Sequence, residues 1–193
     1  MKRYQDVVLF LLVLVVIAQV VHVVVRPGPA ADGVAQERGV RVGDTLGALT
    51  GYVDDGVLAI VPLEADPGTV TVLYAFNSDC VFCDDVAPEW ASHFAIPPAA
   101  SPSIRRIAVT RDLPGLAASY AKRFGWQVNL LSVAQLAQAE RESSLVSKTP
   151  WVFVFDSDGV LRFQDHGAEL QRMEEAIAAI RTPAAAQMSG GAR

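Results

Sequence analysis

The sequence predicts an α/β domain in which helices flank a mixed central sheet, preceded by one N-terminal transmembrane helix. Three patterns support this: β-branched runs alternate with segments of helical apolar spacing, a turn containing Asp-Gly joins the last two strands, and a long apolar run opens the chain. Strand–helix alternation that ends in a hairpin is typical of such sheets. The 193 residues, 51% of them apolar, suffice for one domain with appendages.

The N-terminal apolar run covers residues 7–25 and follows Lys2 and Arg3. A helix of about 19 residues is roughly 28 Å long, which matches the core of a bilayer. The positive start predicts that residues 1–6 stay in the cytoplasm and that the rest of the chain faces the periplasmic or extracellular side. A cleaved signal peptide is the alternative, although the run is longer than the usual signal core.

Two segments outside the domain are identified by composition. Residues 26–39 are rich in Pro, Gly, Ala and charge and are expected to be a linker that holds the domain away from the membrane. The domain itself is predicted to span residues 40–181, followed by a small, polar tail at 182–193 that is expected to be disordered. The net charge of −5, without a long basic run, argues against a nucleic-acid partner.

The domain elements follow from local apolar spacing. Residues 69–76 are a β-branched run after a turn sequence, which predicts a buried strand. Val86, Trp90 and Phe94 repeat every four residues and predict a helix that begins directly after Cys80. The other predicted elements are a strand at 103–110, helices at 113–125 and 132–144, a hairpin at 151–165, and an amphipathic helix at 168–181.

Cys80 and Cys83 are the two cysteines of the chain. A structural zinc site uses four ligands, and the two histidines of the domain, His93 and His166, lack a ligand spacing, so we expect no metal. A disulfide across two intervening residues closes too small a loop to stabilise much through chain entropy. The pair is therefore interpreted as redox-active, with its own reversible disulfide and no other cofactor.

The chemistry of such a pair follows from its position. The first thiol lies where a strand gives way to a helix, and the helix dipole and unpaired N–H groups favour a thiolate there. The thiolate is the nucleophile, and a second thiol one turn later can resolve a mixed disulfide. Thr149–Pro150, directly before a predicted buried strand, is a candidate cis peptide bond.

With these residues, the chain resembles the thioredoxin superfamily, and within it the membrane-anchored TlpA/ResA-type thiol–disulfide oxidoreductases, over about residues 42–180. The resemblance implies a thioredoxin-like fold, Cys80 as the attacking thiol, Cys83 as the resolving thiol, and a substrate groove that includes Thr149 and Pro150. The motifs that carry it are "VGD" at 42–44, "CVFC" at 80–83, Pro88, "KTP" at 148–150 and "VFDSDGVL" at 154–161.

The surroundings of the pair depart from that family's pattern. Asp79 stands where a tryptophan is common, and the buried acid of thioredoxin falls on Tyr74. Asp79, Asp84 and Asp85 are expected to oppose a thiolate by like charge, and Lys148 is the only nearby cation expected to offset them. Since a stabilised thiolate makes a pair oxidising, we expect a reductant of protein disulfides.

A reductant outside the cytoplasm needs a source of electrons, so we expect a membrane partner that supplies them. The resemblance suggests cytochrome c maturation as one pathway. A peroxiredoxin-like peroxidase is an alternative, although its motif needs Pro and Ser or Thr where the chain has Leu73 and Asn77. A second alternative is a non-catalytic tethered module that binds extended peptides, or copper through its two thiols.

Overall fold

The structure is a computed structural model that describes residues 39–53, 56–96, 104–136, 138 and 140–181. The predicted cytoplasmic residues, the anchor at 7–25, the linker up to residue 38 and the tail at 182–193 lie outside this part. No helix among the described residues is long and apolar enough to cross a membrane.

The described part contains seven strands and four helices. The strands are β1 (Ala48–Val53), β2 (Val57–Pro62), β3 (Val70–Phe76), β4 (Ile104–Thr110), β5 (Asn129–Ser132), β6 (Trp151–Phe155) and β7 (Leu161–His166). The helices are α1 (Val81–Phe94), α2 (Pro114–Arg123), α3 (Glu140–Ser144) and α4 (Leu170–Arg181).

The strands form one mixed sheet in the order β2-β1-β5-β4-β3-β6-β7. β3 pairs in parallel with β4 and antiparallel with β6, and all seven residues of β3 are buried. Because β3 and β4 are parallel, the loops that follow them lie at the same edge of the sheet. The backbone N–H of Ser78 donates to the Asp112 carboxylate at 2.7 Å and ties these two loops together.

Two apolar clusters cover the two faces of the sheet. Alternation along β3 sends Tyr74 and Phe76 to one face and Leu73 and Ala75 to the other. The first face carries Trp90 of α1 together with residues of α2 and α4. Several of its rings contact one another edge to face, for example Tyr74 and Trp90 with ring centroids 5.1 Å apart. The candidate active site packs against this aromatic cluster.

The main elements of the sequence prediction are confirmed. β3, β4, α1, α2, the β6–β7 hairpin and α4 lie where the patterns predicted them. The "VGD" segment also has a structural role, because the Gly43 N–H donates to the Leu161 carbonyl at 2.7 Å and the Leu161 N–H to the Asp44 carbonyl at 2.8 Å. These bonds hold the entry of the domain against β7.

The helix predicted at 132–144 is wrong over its first half. Ser132 belongs to β5, where it pairs with Thr110 of β4 and with Tyr52 of β1. Gln135 has a φ of 59°, a left-handed conformation that does not continue a helix. Helix α3 begins only at Glu140. Sheet pairing thus overrides the local helical pattern of this segment.

The β1–β2 hairpin was not predicted at all. Gly51 lies in the middle of β1, and glycine weakens the strand pattern. A Cβ at Gly51 would lie 2.5 Å from the Leu131 side chain, so the glycine is required by the close approach of β5. Gly51 therefore makes β1 difficult to predict from the sequence, and in the structure it allows β1 to pair beside β5.

Candidate active site

Cys80 lies at the junction between β3 and α1, as the N-cap residue of the helix. Its backbone is extended, and its carbonyl accepts hydrogen bonds from the N–H groups of Cys83 at 2.9 Å and Asp84 at 3.3 Å. Its thiol is half-buried and donates to the Thr149 carbonyl at 3.7 Å. The thiol thus occupies the helix N-terminus that the sequence predicted, where the dipole stabilises an anion.

The pKa of the Cys80 thiol lies below its ordinary value. Partial burial would raise it, but hydrogen bonds from the Cys83 thiol and backbone, from the Thr149 side chain and from the Phe82 backbone outweigh that effect. Carboxylates are not among these main causes. The structure therefore contradicts the expectation that the neighbouring acids keep this thiol protonated.

Cys83 has the opposite environment. Its side chain is 1% exposed, and burial raises its pKa to about 12. The hydrogen bond to Cys80 and the charge of a Cys80 thiolate raise it further, while hydrogen bonds with the Asn77 backbone and the Thr149 side chain act against them. One thiol of the pair is therefore prepared to ionise, and the other is held protonated.

The Thr149–Pro150 bond is cis, as predicted. The Pro150 carbonyl accepts from the Gly167 N–H at 3.2 Å, and the Trp90 indole N–H donates to the Gly167 carbonyl at 2.8 Å. A Cβ at Gly167 would lie 2.5 Å from the Trp90 ring and 3.0 Å from the Pro150 Cβ. Gly167, which the sequence analysis did not single out, therefore fits α1 against the cis-proline loop.

The other candidate modulators lie around this centre without a close link to the thiols. Asp79 and Asp85 are exposed. The Lys148 ammonium lies over the Trp151 ring at 5.0 Å from its centroid, and it is not among the main groups that shift the pKa of either cysteine. The charged residues singled out in the sequence thus form the rim of the site.

Asp84 is held by a residue that the sequence analysis missed. The Arg123 guanidinium of α2 binds the Asp84 carboxylate at 2.6 Å, and it also lies 4.8 Å from the centroid of the Tyr120 ring. Tyr120 is 3% exposed and stacks on Phe76 at 5.1 Å. Arg123, Tyr120 and Asp84 therefore form a group beside the buried cysteine. The sequence analysis predicted a helix at 113–125 but singled out neither Tyr120 nor Arg123.

The residues between the two cysteines are exposed and apolar. Val81 is 66% exposed and Phe82 is 63% exposed, although both are large hydrophobic side chains. Leu113 and Leu116, at the start of α2, are exposed as well. Within the part of the chain that the structure describes, no three His, Cys, Asp or Glu side chains are grouped so that they could hold a metal ion.

Comparison with known proteins identifies the fold. No protein-family model and no curated protein sequence matches the chain. Solved structures do match it. A protein provisionally assigned as the thiol:disulfide interchange protein DsbE from Chlorobium tepidum is 20% identical with a TM-score of 0.59, over 74% of this chain and 99% of that one. The chain has a thioredoxin-like fold.

Two further structures show the breadth of that similarity. A peroxiredoxin-like protein from Aquifex aeolicus is 16% identical, with a TM-score of 0.58 over 74% of this chain and 88% of that one. A secreted Mycobacterium tuberculosis disulfide oxidoreductase homologous to E. coli DsbE is 19% identical, with a TM-score of 0.50 over 68% and 95%. Since both kinds of protein share the fold, the residues of the site must distinguish between their functions.

Proposed function

We propose that this protein is a membrane-anchored thiol–disulfide oxidoreductase in which Cys80 attacks a protein disulfide and Cys83 resolves the intermediate. The asymmetry of the two thiols carries the proposal. Cys80 is accessible at a helix N-terminus and its pKa is lowered, whereas Cys83 is buried with a pKa of about 12. An exchange enzyme needs this order of reactivity, because only the thiolate attacks.

The reaction proceeds in two exchanges. The Cys80 thiolate attacks one sulfur of the substrate disulfide, and the other substrate sulfur leaves with the electron pair and takes up a proton. The deprotonated Cys83 then attacks the Cys80 sulfur and releases the second substrate thiol. The products are a substrate dithiol and a Cys80–Cys83 disulfide, so two electrons have passed to the substrate.

The Thr149 carbonyl and Pro150 form the wall against which the substrate would lie. The carbonyl is 3.7 Å from the Cys80 sulfur, close enough to present backbone groups to an extended peptide beside the reacting thiol. Exposed Val81 and Phe82 offer apolar contact on the helix side of the same thiol. This arrangement suits a flexible peptide segment of a protein better than a small polar substrate.

Reduction of the substrate is the proposed direction. Hydrogen bonds account for the lowered Cys80 pKa, and no cation is among its main causes, so the thiolate is less favoured than one stabilised by a full positive charge. We therefore expect a reduction potential nearer to the value of about −270 mV for thioredoxin than to the value of about −120 mV for a strong oxidant. A measured potential close to the second value would contradict this direction.

The proposed cellular setting follows from the sequence. Residues 7–25 would anchor the chain, and the domain would act on the periplasmic or extracellular side. A membrane electron donor would then return the Cys80–Cys83 disulfide to the dithiol. Cytochrome c maturation is the proposed pathway, on the basis of the resemblance to TlpA/ResA-type proteins.

A trapping experiment tests the proposal. In cells that carry the Cys83→Ser variant, Cys80 should retain its substrate as a mixed disulfide that a reductant releases. The Cys80→Ser variant is the matched control and should trap nothing. If a variant with both cysteines replaced retains the same partner, the protein is a binding module. Turnover of hydrogen peroxide by the wild-type protein, without exchange activity, would favour the peroxidase alternative.

A further inference from the structure

The resolving thiol has to lose a proton from a buried position. Cys83 is 1% exposed, so water has little access to its sulfur. The exposed carboxylates at the rim, Asp79 and Asp85, lie in solvent and not in the apolar cluster that surrounds Cys83. Since the second exchange of the proposed function begins with a Cys83 thiolate, some group of the protein must carry the proton outward.

Tyr120 is placed to take part in that transfer. Its side chain belongs to the same buried cluster as Cys83, and its hydroxyl is buried as well. Burial raises its pKa, a hydrogen bond with the Asp84 carboxylate and the charge of that carboxylate raise it further, and the charge of a Cys83 thiolate acts in the same direction.

Asp84 connects this interior to the solvent. Its side chain is 41% exposed, whereas Tyr120 is 3% exposed. Arg123 binds the carboxylate at 2.6 Å and lies over the Tyr120 ring at 4.8 Å, so a single guanidinium holds the carboxylate and the ring near each other. Exposure therefore increases from Cys83 and Tyr120 to Asp84.

We propose that Tyr120 and Asp84 form the proton path of Cys83. The Cys83 proton passes to the Tyr120 oxygen while the Tyr120 proton passes to the Asp84 carboxylate, which then releases it to water. The Cys83 thiolate attacks the Cys80 sulfur, the bond from Cys80 to the substrate sulfur breaks, and the substrate sulfur leaves with the electron pair and takes a proton from water. The inference rests on the proposed function and adds a role for two residues to it.

A second buried tyrosine supplies the matched control. The Tyr74 hydroxyl is also buried. Its charged neighbours, however, are Arg106 and Glu174, and neither cysteine is among the main groups that act on it. Tyr74→Phe therefore removes a buried tyrosine hydroxyl, as Tyr120→Phe does, but leaves the proposed proton path of Cys83 intact.

The test separates the two exchanges with a small disulfide. Reduced full-length protein is mixed with an equimolar amount of dithiobis-nitrobenzoate, so that a first release of the coloured thiol reports the attack by Cys80 and a second release reports the attack by Cys83. Tyr120→Phe should slow the second release by at least about tenfold, shift its pH profile upward, and leave the first release unchanged. Asp84→Asn should also slow the second release, and Tyr74→Phe should change neither.

Three results would overturn the proton path: an unchanged second release in Tyr120→Phe, an equal slowing of both releases, or the same slowing in Tyr74→Phe. If Tyr120→Phe does not fold, as judged by circular dichroism, Asp84→Asn decides, and an unchanged second release then rejects the path. The small disulfide replaces the protein substrate, so these results do not depend on the Cys83→Ser trapping experiment, whose failure would reject the proposed function instead.

Discussion

The two halves of the site differ far more than the three-residue separation of the cysteines suggests. The exposed half consists of Val81 and Phe82 together with the half-buried Cys80 and Thr149, and the buried half consists of Cys83, Phe76, Tyr120 and Trp126. Within one turn of α1, the side chains change from exposed to buried in the aromatic core. The comparison teaches that burial, and not the Cys-x-x-Cys spacing itself, assigns the two thiols their different roles.

The largest expected effect is a difference in reactivity between the thiols. A thiol with a pKa of about 12 is ionised to only about one part in 10⁵ at pH 7, and the thiolate is the reactive form. Iodoacetamide should therefore alkylate Cys80 in the Cys83→Ser variant more than about 100-fold faster than Cys83 in the Cys80→Ser variant. Burial persists in the second variant even though the influence of Cys80 is lost.

The pH dependence of alkylation sharpens this comparison. Since the pKa of Cys80 is lowered, its alkylation should reach half of its maximal rate below the pH expected for a free cysteine, and that of Cys83 above it. Rates can be followed by mass spectrometry of the intact protein. Similar rates and similar profiles for the two variants would show that the two halves of the site do not differ in the way described.

The next effect in size concerns the contact that joins the two halves. Gly167→Ala would place a Cβ 2.5 Å from the Trp90 ring and 3.0 Å from the Pro150 Cβ. Either the buried ring or the cis-proline loop must move, which should lower the free energy of unfolding by about 1–3 kcal/mol. Because Pro150 follows the Thr149 carbonyl that contacts Cys80, the rate of the first exchange should fall as well.

Gly115→Ala is the control for this change. Gly115 lies in the first turn of α2, and a Cβ there would meet no atom within 4 Å. Alanine should stabilise the helix by about 0.5–1 kcal/mol and leave the exchange rate unchanged. Chemical denaturation of both variants tests whether the free energy of unfolding falls in Gly167→Ala and rises in Gly115→Ala. A Gly167→Ala variant as stable as the wild type would mean that Trp90 and Pro150 can separate at no cost.

The difference between the halves also explains what could be predicted from the sequence. Cys80, Cys83 and Pro150 were found because local signals mark them: a strand run, a helix start and an X-Pro pair before a second strand. The roles of Tyr120 and Gly167 depend on residues that are distant in the sequence. Asp84 lies 36 positions before Tyr120, and Pro150 lies 17 positions before Gly167. Spacing within one element does not show which faces of distant elements meet.

The predicted effect of Asp79, Asp84 and Asp85 on the Cys80 thiol was wrong, again because contacts between distant residues decide it. Three carboxylates close to the pair in sequence were expected to act on Cys80 as a group. In the structure Arg123, 39 residues from Asp84, binds one of them, and Asp79 and Asp85 point into solvent, where charge is screened. The hydrogen bonds that lower the Cys80 pKa come from the Cys83 thiol, from backbone N–H groups and from Thr149, and a count of nearby charges includes none of these.

The smallest expected effect tests whether the exposed half binds substrate. Phe82 is 63% exposed, so Phe82→Ser removes little buried surface and should leave the stability within about 0.5 kcal/mol of the wild type. If Phe82 contacts a peptide, the loss of that contact should raise KM for a protein disulfide by roughly tenfold, since a contact of this size contributes about 1–3 kcal/mol.

A distant residue of similar exposure serves as the control that separates this contact from general surface hydrophobicity. Leu58, on edge strand β2, is 58% exposed, and β2 is separated from β3 by three strands in the sheet. Leu58→Ser should leave KM unchanged. Release of the coloured thiol from the small disulfide should be the same in both variants, because that reagent does not need the apolar contact. An unchanged KM in Phe82→Ser would restrict the role of the exposed half to the Cys80 thiol and the Thr149–Pro150 wall.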